Sequence, residues 1–159
     1  MKILLAAWTA LSTSLCICVS GSSVIADGAH GSHHPSADTI AARSRFFGAE
    51  NVDQRDGDVR GDRVIFSWVT NASLAVSVKG RIVLLDTYIN RPELPPAAGA
   101  ADLRRSPISI QELVALGPEA IFLGHGHGDH ADNAAYIAKW TNAIIYASPE
   151  TCASIARNS

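Results

Sequence analysis

Three β-rich segments between residues 63 and 86 constrain the fold most, because only short turns separate them. Residues 63–69 and 73–79 are rich in β-branched and aromatic side chains, and the second segment alternates large aliphatic with small residues. Lys79-Gly80 suits a tight turn into the nearly continuous apolar run of residues 81–86. The pattern predicts two strands with one buried face, followed by a strand that is covered on both faces.

Helices and strands alternate in the second half of the chain. Ser109 and Glu112 match a capping box, at the start of a helix that should stop at Gly117-Pro118. The other elements predicted from apolar periodicity and capping residues are a helix at residues 38–47 capped by Asp38 and ended by Gly48, buried strands at 120–124 and 143–147, and helices at 131–141 and from Pro149.

Composition limits the function only weakly. The chain has 159 residues, of which 47% are hydrophobic and 18% charged, which is typical of one globular domain. A formal net charge of −2 provides neither a basic stripe for nucleic acid nor an acidic tail. We therefore expect no nucleic-acid partner.

The first 26 residues have the layout of a secretory signal peptide. Lys2 precedes an apolar run at residues 3–19, and the small residues around Gly21 lead to Val24-Ile25-Ala26. We expect cleavage after Ala26 and an exported protein, periplasmic or extracellular, with no stable membrane anchor. The alternative is a retained anchor helix, although the run is short for a membrane span.

The predicted cleavage also determines what we expect of the cysteines and of the segment that follows the signal peptide. Cys16 and Cys18 should leave with the signal, so that Cys152 remains as a buried or half-buried structural thiol without an internal disulfide. Residues 27–37 form a Gly- and His-rich leader that we expect to be flexible and solvated, before a domain at residues 38–159. Its histidines could instead bind a metal ion loosely; they are His30, His33 and His34.

The stretch Phe122 to Tyr136 concentrates side chains that bind metals. In an extended segment His125, His127 and Asp129 can converge on one side, whereas His130 breaks the period. A turn near Gly128 would let the side chains of Asp129 and His130 converge on a second position. Imidazole and carboxylate groups are ligands of Zn²⁺. If these residues only capped a strand and a helix, neither their density nor the interleaved glycines would be explained.

The sequence from His125 to His130 matches the H-x-H-x-D-H signature of the metallo-β-lactamase superfamily. The segment VLLDT, residues 83–87, is similar to the strand ending in Asp that precedes this signature in these proteins. The resemblance extends from Arg63 onward. It implies an α+β fold that forms the first half of an αβ/βα sandwich, with a mixed sheet and flanking helices.

The resemblance also implies roles for the motif residues. His125 and His127 would bind a first Zn²⁺ ion, and Asp129 and His130 a second, with Asp129 also the predicted catalytic residue. Asp86 would lie near the site without binding metal directly, although it could equally end a strand at a turn. A dinuclear zinc site of this kind hydrolyses small molecules such as esters, lactones, β-lactams, thioesters or phosphodiesters.

The sequence departs from the superfamily pattern after His130. The remaining ligands of that pattern, two histidines and a bridging aspartate, are not visible, because no later histidine occurs and Asp132 is the only later aspartate. Two hypotheses follow. The chain is either an N-terminal fragment of an exported zinc hydrolase, or a non-catalytic metal-binding remnant or subunit that another chain completes. The oligomeric state stays open.

Overall fold

The computed structural model describes residues 16–18, 36–89 and 108–158. Its strands are β1 (Cys16–Cys18), β2 (Val64–Thr70), β3 (Ser73–Val78), β4 (Arg81–Leu85), β5 (Ala120–Phe122) and β6 (Ile144–Ala147). Its helices are α1 (Ala37–Phe47), α2 (Ile110–Ala115), α3 (Gly128–Ala131), α4 (Ala134–Thr141) and α5 (Pro149–Asn158), with a 3-10 turn at Ala49–Asn51.

The strands form one mixed sheet in the order β1-β6-β5-β4-β3-β2. Neighbours are antiparallel from β2 to β4, parallel from β4 to β6, and antiparallel again between β6 and β1. The predicted α+β class, with a mixed sheet and flanking helices, is confirmed and is compatible with the first half of a metallo-β-lactamase-type fold. Because β4 and β5 are parallel, their carboxyl ends meet at the same edge of the sheet.

One face of the sheet is covered by helices. A cross-strand row on this face contains Ala75, Leu84, Ile121 and Ile145, each of which is buried. It packs in one core with side chains from α1, α2 and α4, which include Phe46, Phe47, Leu113 and Ile137. The alternation of β3 places its small residues, such as Ala75 and Ser77, on this side, so the helices can approach closely.

The opposite face is apolar and only partly exposed, since Val76 in its centre is buried. One row across it runs Phe66, Val76, Val83, Ala120 and Ile144, and the next runs Trp68, Leu74, Leu85, Phe122 and Tyr146. Phe66 and Trp68 are 65% and 68% exposed. The prediction that β4 is covered on both faces is confirmed only in part for the described structure: Ile82 and Leu84 are buried, whereas Val83 and Leu85 on the other side are half-buried. Phe122, predicted within a buried strand, is exposed.

The helix boundaries mostly follow the predicted signals. The capping box of Ser109 and Glu112 is present at α2, and α5 begins at Pro149 as predicted. At α1, however, Ser36 caps the helix by accepting a hydrogen bond from the Thr39 N–H, whereas Asp38 lies in the first turn. The helix predicted at residues 131–141 is divided into α3 and α4.

Part of the predicted signal region appears in the sheet. Residues 16–18 form the edge strand β1, whereas residues 1–15 and the predicted His/Gly-rich leader up to residue 35 lie outside the described residues. Cys152 is half-buried as predicted, but it is disulfide-bonded, so the prediction of a thiol is wrong. That prediction assumed that Cys16 and Cys18 leave with the signal. Among the helices that the structure describes, none has the length and apolar character to cross a membrane.

Candidate metal centre

Asp86 joins the carboxyl ends of two parallel strands. It follows β4 with a φ of 54°, and its N–H donates to the Phe122 carbonyl at the end of β5 (2.8 Å). Its carboxylate Oδ1 accepts the Gly124 N–H, also at 2.8 Å. Only 8% of Asp86 is exposed. Aspartate is among the residues that tolerate a left-handed conformation, and here that conformation turns the carboxylate toward the loop after β5.

The same carboxylate holds His130. Asp86 Oδ2 lies 2.7 Å from His130 Nδ1 in a contact that is largely shielded from solvent. The His130 carbonyl accepts the Thr87 N–H at 2.7 Å, and Asn133 Nδ2 donates to the Thr87 carbonyl at 2.8 Å. The first turn of α3 is therefore fastened to the end of β4 through both main chain and side chain.

Three metal-type side chains converge beside this contact. His125, Asp129 and His130 each offer a ligand atom, and these atoms lie within 4.8 Å of one another. The His130 Nε2 is 3.6 Å from Asp129 Oδ2, and the ring centroids of His125 and His130 are 3.9 Å apart. His125 and Asp129 are exposed, whereas His130 is half-buried. The cluster is therefore partly shielded on the side of His130 and open to solvent on the side of His125 and Asp129.

His127 lies next to His125 but is not one of the three grouped side chains. Its Nδ1 lies 3.0 Å from His125 Nε2, and it is the residue before the first turn of α3. The sequence predicted His125 with His127 at one point and Asp129 with His130 at another. In the structure His125 lies beside His127 and also groups with Asp129 and His130, which lie in the short helix that begins at Gly128. The metal-binding roles themselves stay predictions.

The glycines between the histidines allow other parts of the chain to pack closely against the backbone of this loop. Gly124, Gly126 and Gly128 are all outside the left-handed region, so none of them is required by its backbone dihedrals. A Cβ on Gly126 would lie 3.2 Å from Thr151 Oγ1 at the start of α5. A side chain at this position would therefore press against α5.

Two residues of the site were not identified from the sequence. Asn71, in the turn between β2 and β3, donates from Nδ2 to the Asp129 carbonyl at 3.1 Å. Thr87 contacts His130 as described above. Asn71 is 58 positions from Asp129 along the chain, so no local pattern signals the contact. The strand-ending sequence around Asp86 was the one available hint for Thr87.

The cluster lies on an open surface. Two surface depressions, of about 360 and 420 Å³, are lined by other residues. The larger one includes Arg81, Glu119 and Asn142, near the amino ends of β4 and β5, opposite the edge that carries the histidines. His30, His33 and His34 lie outside the described residues.

The chain is similar over part of its length to two curated proteins. Each is named "UPF0173 metal-dependent hydrolase". The protein from Flavobacterium johnsoniae is 35% identical over 80 residues, which cover 50% of this chain and 30% of that relative. The protein from Caldivirga maquilingensis is 30% identical over 78 residues, which cover 49% of this chain and 28% of the relative.

The similarity is distant and partial. The matched segment spans less than a third of the length of either relative. No known protein-family profile matches the chain, and no solved structure matches it.

Proposed function

We propose that this protein is part of a metal-dependent hydrolase of the metallo-β-lactamase superfamily. His125, His127, Asp129 and His130 would hold zinc ions, and Asp86 would orient His130. The observation that carries the proposal is the contact between the buried Asp86 and His130 Nδ1, next to a cluster of three ligand atoms within 4.8 Å. The names of the two distant relatives agree with it.

The donor set fits a zinc-type ion. Imidazole nitrogen and carboxylate oxygen are both ligands of Zn²⁺, and histidines that bind metals commonly donate their other ring N–H to a carboxylate. A carboxylate only accepts hydrogen bonds, so Asp86 makes His130 Nδ1 the donor and leaves Nε2 with its lone pair. That Nε2 is the nitrogen that lies near Asp129. A bound ion would supply Lewis acidity, which activates water and polarises the bond under attack.

The same geometry bears on the role of His127. A nitrogen that donates a hydrogen bond cannot bind an ion at the same time, so joint binding through His125 Nε2 and His127 Nδ1 requires their 3.0 Å contact to open. Both side chains are exposed, so rotation meets little packing resistance. We propose that His127 enters the metal site by this movement.

Further ligands would have to come from outside the described residues. The outer side of the cluster is exposed, and so are several large apolar side chains on one face of the sheet, as expected if another segment or chain packs there. We propose that this partner completes a dinuclear zinc site for a small-molecule substrate with an ester, lactone, β-lactam, thioester or phosphodiester bond. The alternative is a non-catalytic metal-binding remnant, or a subunit that another chain completes; the remnant would leave these surfaces exposed without a partner.

Metal binding is the first experiment. Zn²⁺ titration by calorimetry should show weak binding to the chain, since few ligands enclose the ion. The His125→Ala, His127→Ala double variant should bind at least about tenfold more weakly. Equal binding by both proteins would contradict the assignment and point to His30, His33 and His34, for which a triple His→Ala variant is the matched control.

Activity is the second experiment. The chain alone, assayed with Zn²⁺ on substrates of the five bond classes, should show no substantial turnover, because positioning and preorganised charge each supply several kcal/mol of barrier lowering. A product that also carries the remaining ligands should be active. Strong turnover by the chain alone, abolished by His127→Ala, would show that it completes its own site or does so by oligomerising.

We also propose export, on the basis of the signal-like layout of residues 1–26. Cleavage after Ala26 would remove β1 and leave β6 as an edge of the sheet. N-terminal sequencing after expression should then find a mature chain beginning near Asp27 outside the cytoplasm. An intact Met1 on a soluble cytosolic species would contradict export and would be consistent with β1 as a permanent strand.

A further inference from the structure

We infer that Asn71 is a positioning residue of the metal centre, which holds Asp129 in place from the turn between β2 and β3. The inference rests on the proposed metal-binding function. Asn71 would not bind the ion or touch the substrate. Its side-chain amide would act through Asp129.

The contact is made by one nitrogen at two places. Asn71 Nδ2 lies 3.1 Å from the Asp129 carbonyl oxygen and 3.5 Å from its carboxylate Oδ2. The Asp129 side chain is otherwise open to solvent, with 57% of it exposed. An exposed carboxylate samples several rotamers, so a donor that faces both its main chain and its side chain restricts this freedom. The same Oδ2 faces His130 Nε2 at 3.6 Å.

The turn that carries Asn71 is held on both sides. Thr70 pairs with Ser73, so Asn71 and Ala72 form a two-residue connection. Trp68 Nε1 donates to the Asn71 carbonyl at 2.8 Å, and the buried Ser73 accepts the Tyr88 N–H through its Oγ at 2.9 Å. The amide of Asn71 therefore projects from an anchored turn, which is what a positioning group requires.

Two separate demands meet at this position. Asn71 has a φ of 47°, in the left-handed region that glycine, asparagine and aspartate adopt most easily. Glycine would satisfy the turn equally well, but it has no amide to reach Asp129. Asn71→Gly therefore removes the contact while it keeps the backbone conformation, and it separates the positioning role from a role in folding.

The test compares Asn71→Gly with Ala72→Gly, which alters the same turn at the neighbouring position. Calorimetric titration with Zn²⁺ and the absorption spectrum of bound Co²⁺ report on the site, and thermal unfolding without metal reports on the fold. We expect Asn71→Gly to bind Zn²⁺ about tenfold more weakly than wild type, with a changed Co²⁺ spectrum. Ala72→Gly should match wild type in both metal measurements.

A second variant keeps the test decisive if Asn71→Gly folds poorly. Asn71→Asp has nearly the same shape and the same tolerance for the turn, but its carboxylate cannot donate to Asp129. We expect its Zn²⁺ affinity to fall at least as far as that of Asn71→Gly. Wild-type affinity and spectrum in either variant would overturn the inference, because a donor at this position would then be unnecessary.

Failure of the proposed function gives a different result. If wild type binds no Zn²⁺, or binds it equally well after Asp129→Ala, both the metal site and the role of Asn71 are wrong. If binding depends on Asp129 but not on Asn71, the metal site stands and only the positioning role is lost.

Discussion

The two faces of the central sheet both carry apolar side chains but differ in what covers them. On one face Leu84 and Ile121 pack under α1, α2 and α4. On the other, Phe66, Trp68 and Ile144 stand exposed. Apolar side chains alone therefore do not tell which face forms the core. Exposed apolar patches of this extent commonly mark interaction surfaces, which agrees with a site that another segment or chain completes.

The largest expected difference between the faces is in stability. Leu84→Ala leaves a cavity in the covered face, where Leu84 is 1% exposed, and should lower the free energy of unfolding by about 2–5 kcal/mol. Phe66→Ala, on the exposed face, should cost less than about 1 kcal/mol. Urea unfolding measures both. Comparable losses would mean that the exposed face is covered in solution.

The second prediction concerns self-association. Phe66→Thr combined with Ile144→Thr removes the exposed apolar side chains at the two ends of one row and places β-branched residues in the strands. If this face binds a second copy of the chain, burial of each of the two side chains contributes about 1.5–3 kcal/mol to the free energy of association. Their removal should therefore weaken association more than tenfold. Sedimentation over a concentration series measures it. Tyr136→Thr, at an exposed aromatic on α4, is the control and should leave association unchanged.

The third prediction tests how the covered face is held. Ser109→Ala removes the cap of α2, which contributes Leu113 to the core, and should cost about 1 kcal/mol of unfolding free energy. Chemical denaturation at neutral pH is the measurement. A loss near zero would mean that packing alone keeps this helix on the sheet.

The same cap should respond to acid. Burial by itself raises the pKa of Glu112, but hydrogen bonds from the Ser109 N–H and from Arg45 outweigh it, so the pKa lies below its usual value. A carboxyl group whose pKa is lowered by folding stabilises the fold at pH values above its pKa in the unfolded chain. This stabilisation is lost as the pH falls through the pKa of the group in the folded protein. The free energy of unfolding of Glu112→Gln should therefore be lower than that of wild type at neutral pH. The two free energies should converge in acid.

The smallest effect is expected inside the covered face. Ser77 is fully buried in β3, and within the described part of the chain its hydroxyl has no hydrogen-bond partner. Ser77→Ala removes a desolvated polar group at nearly constant volume and should be neutral or stabilise the protein by up to about 1 kcal/mol. Thermal unfolding measures the change. Clear destabilisation would reveal a partner, such as a buried water, for this hydroxyl.

Patterns carried by neighbouring residues predicted much of the fold. The strands near residues 64–85 follow from alternating or continuous apolar runs, and the cap of α2 follows from Ser109 and Glu112. These signals act over a few positions, where spacing determines which groups can meet. At α1 the same reasoning named Asp38, whereas Ser36 is the cap; both residue types suit a helix start, and only the backbone conformation distinguishes them.

The site was predicted less completely, because its contacts join distant parts of the chain. The density of histidines identified His125, His127, Asp129 and His130, but not which of them group together. The pairing of Asp86 with His130 spans 44 positions, and that of Asn71 with Asp129 spans 58. Such contacts depend on strand order, which residue spacing does not encode.

The sequence by itself determined the strands β2 to β6, the cap of α2 and the types of ligand available, since these depend on side-chain chemistry and local periodicity. The tertiary structure alone decided that β4 and β5 end side by side, which brings Asp86 to His130. It also decided which apolar face of the sheet packs under the helices that the structure describes. Both faces offer apolar area to bury, so the choice depended on where the connections between strands carried the helices.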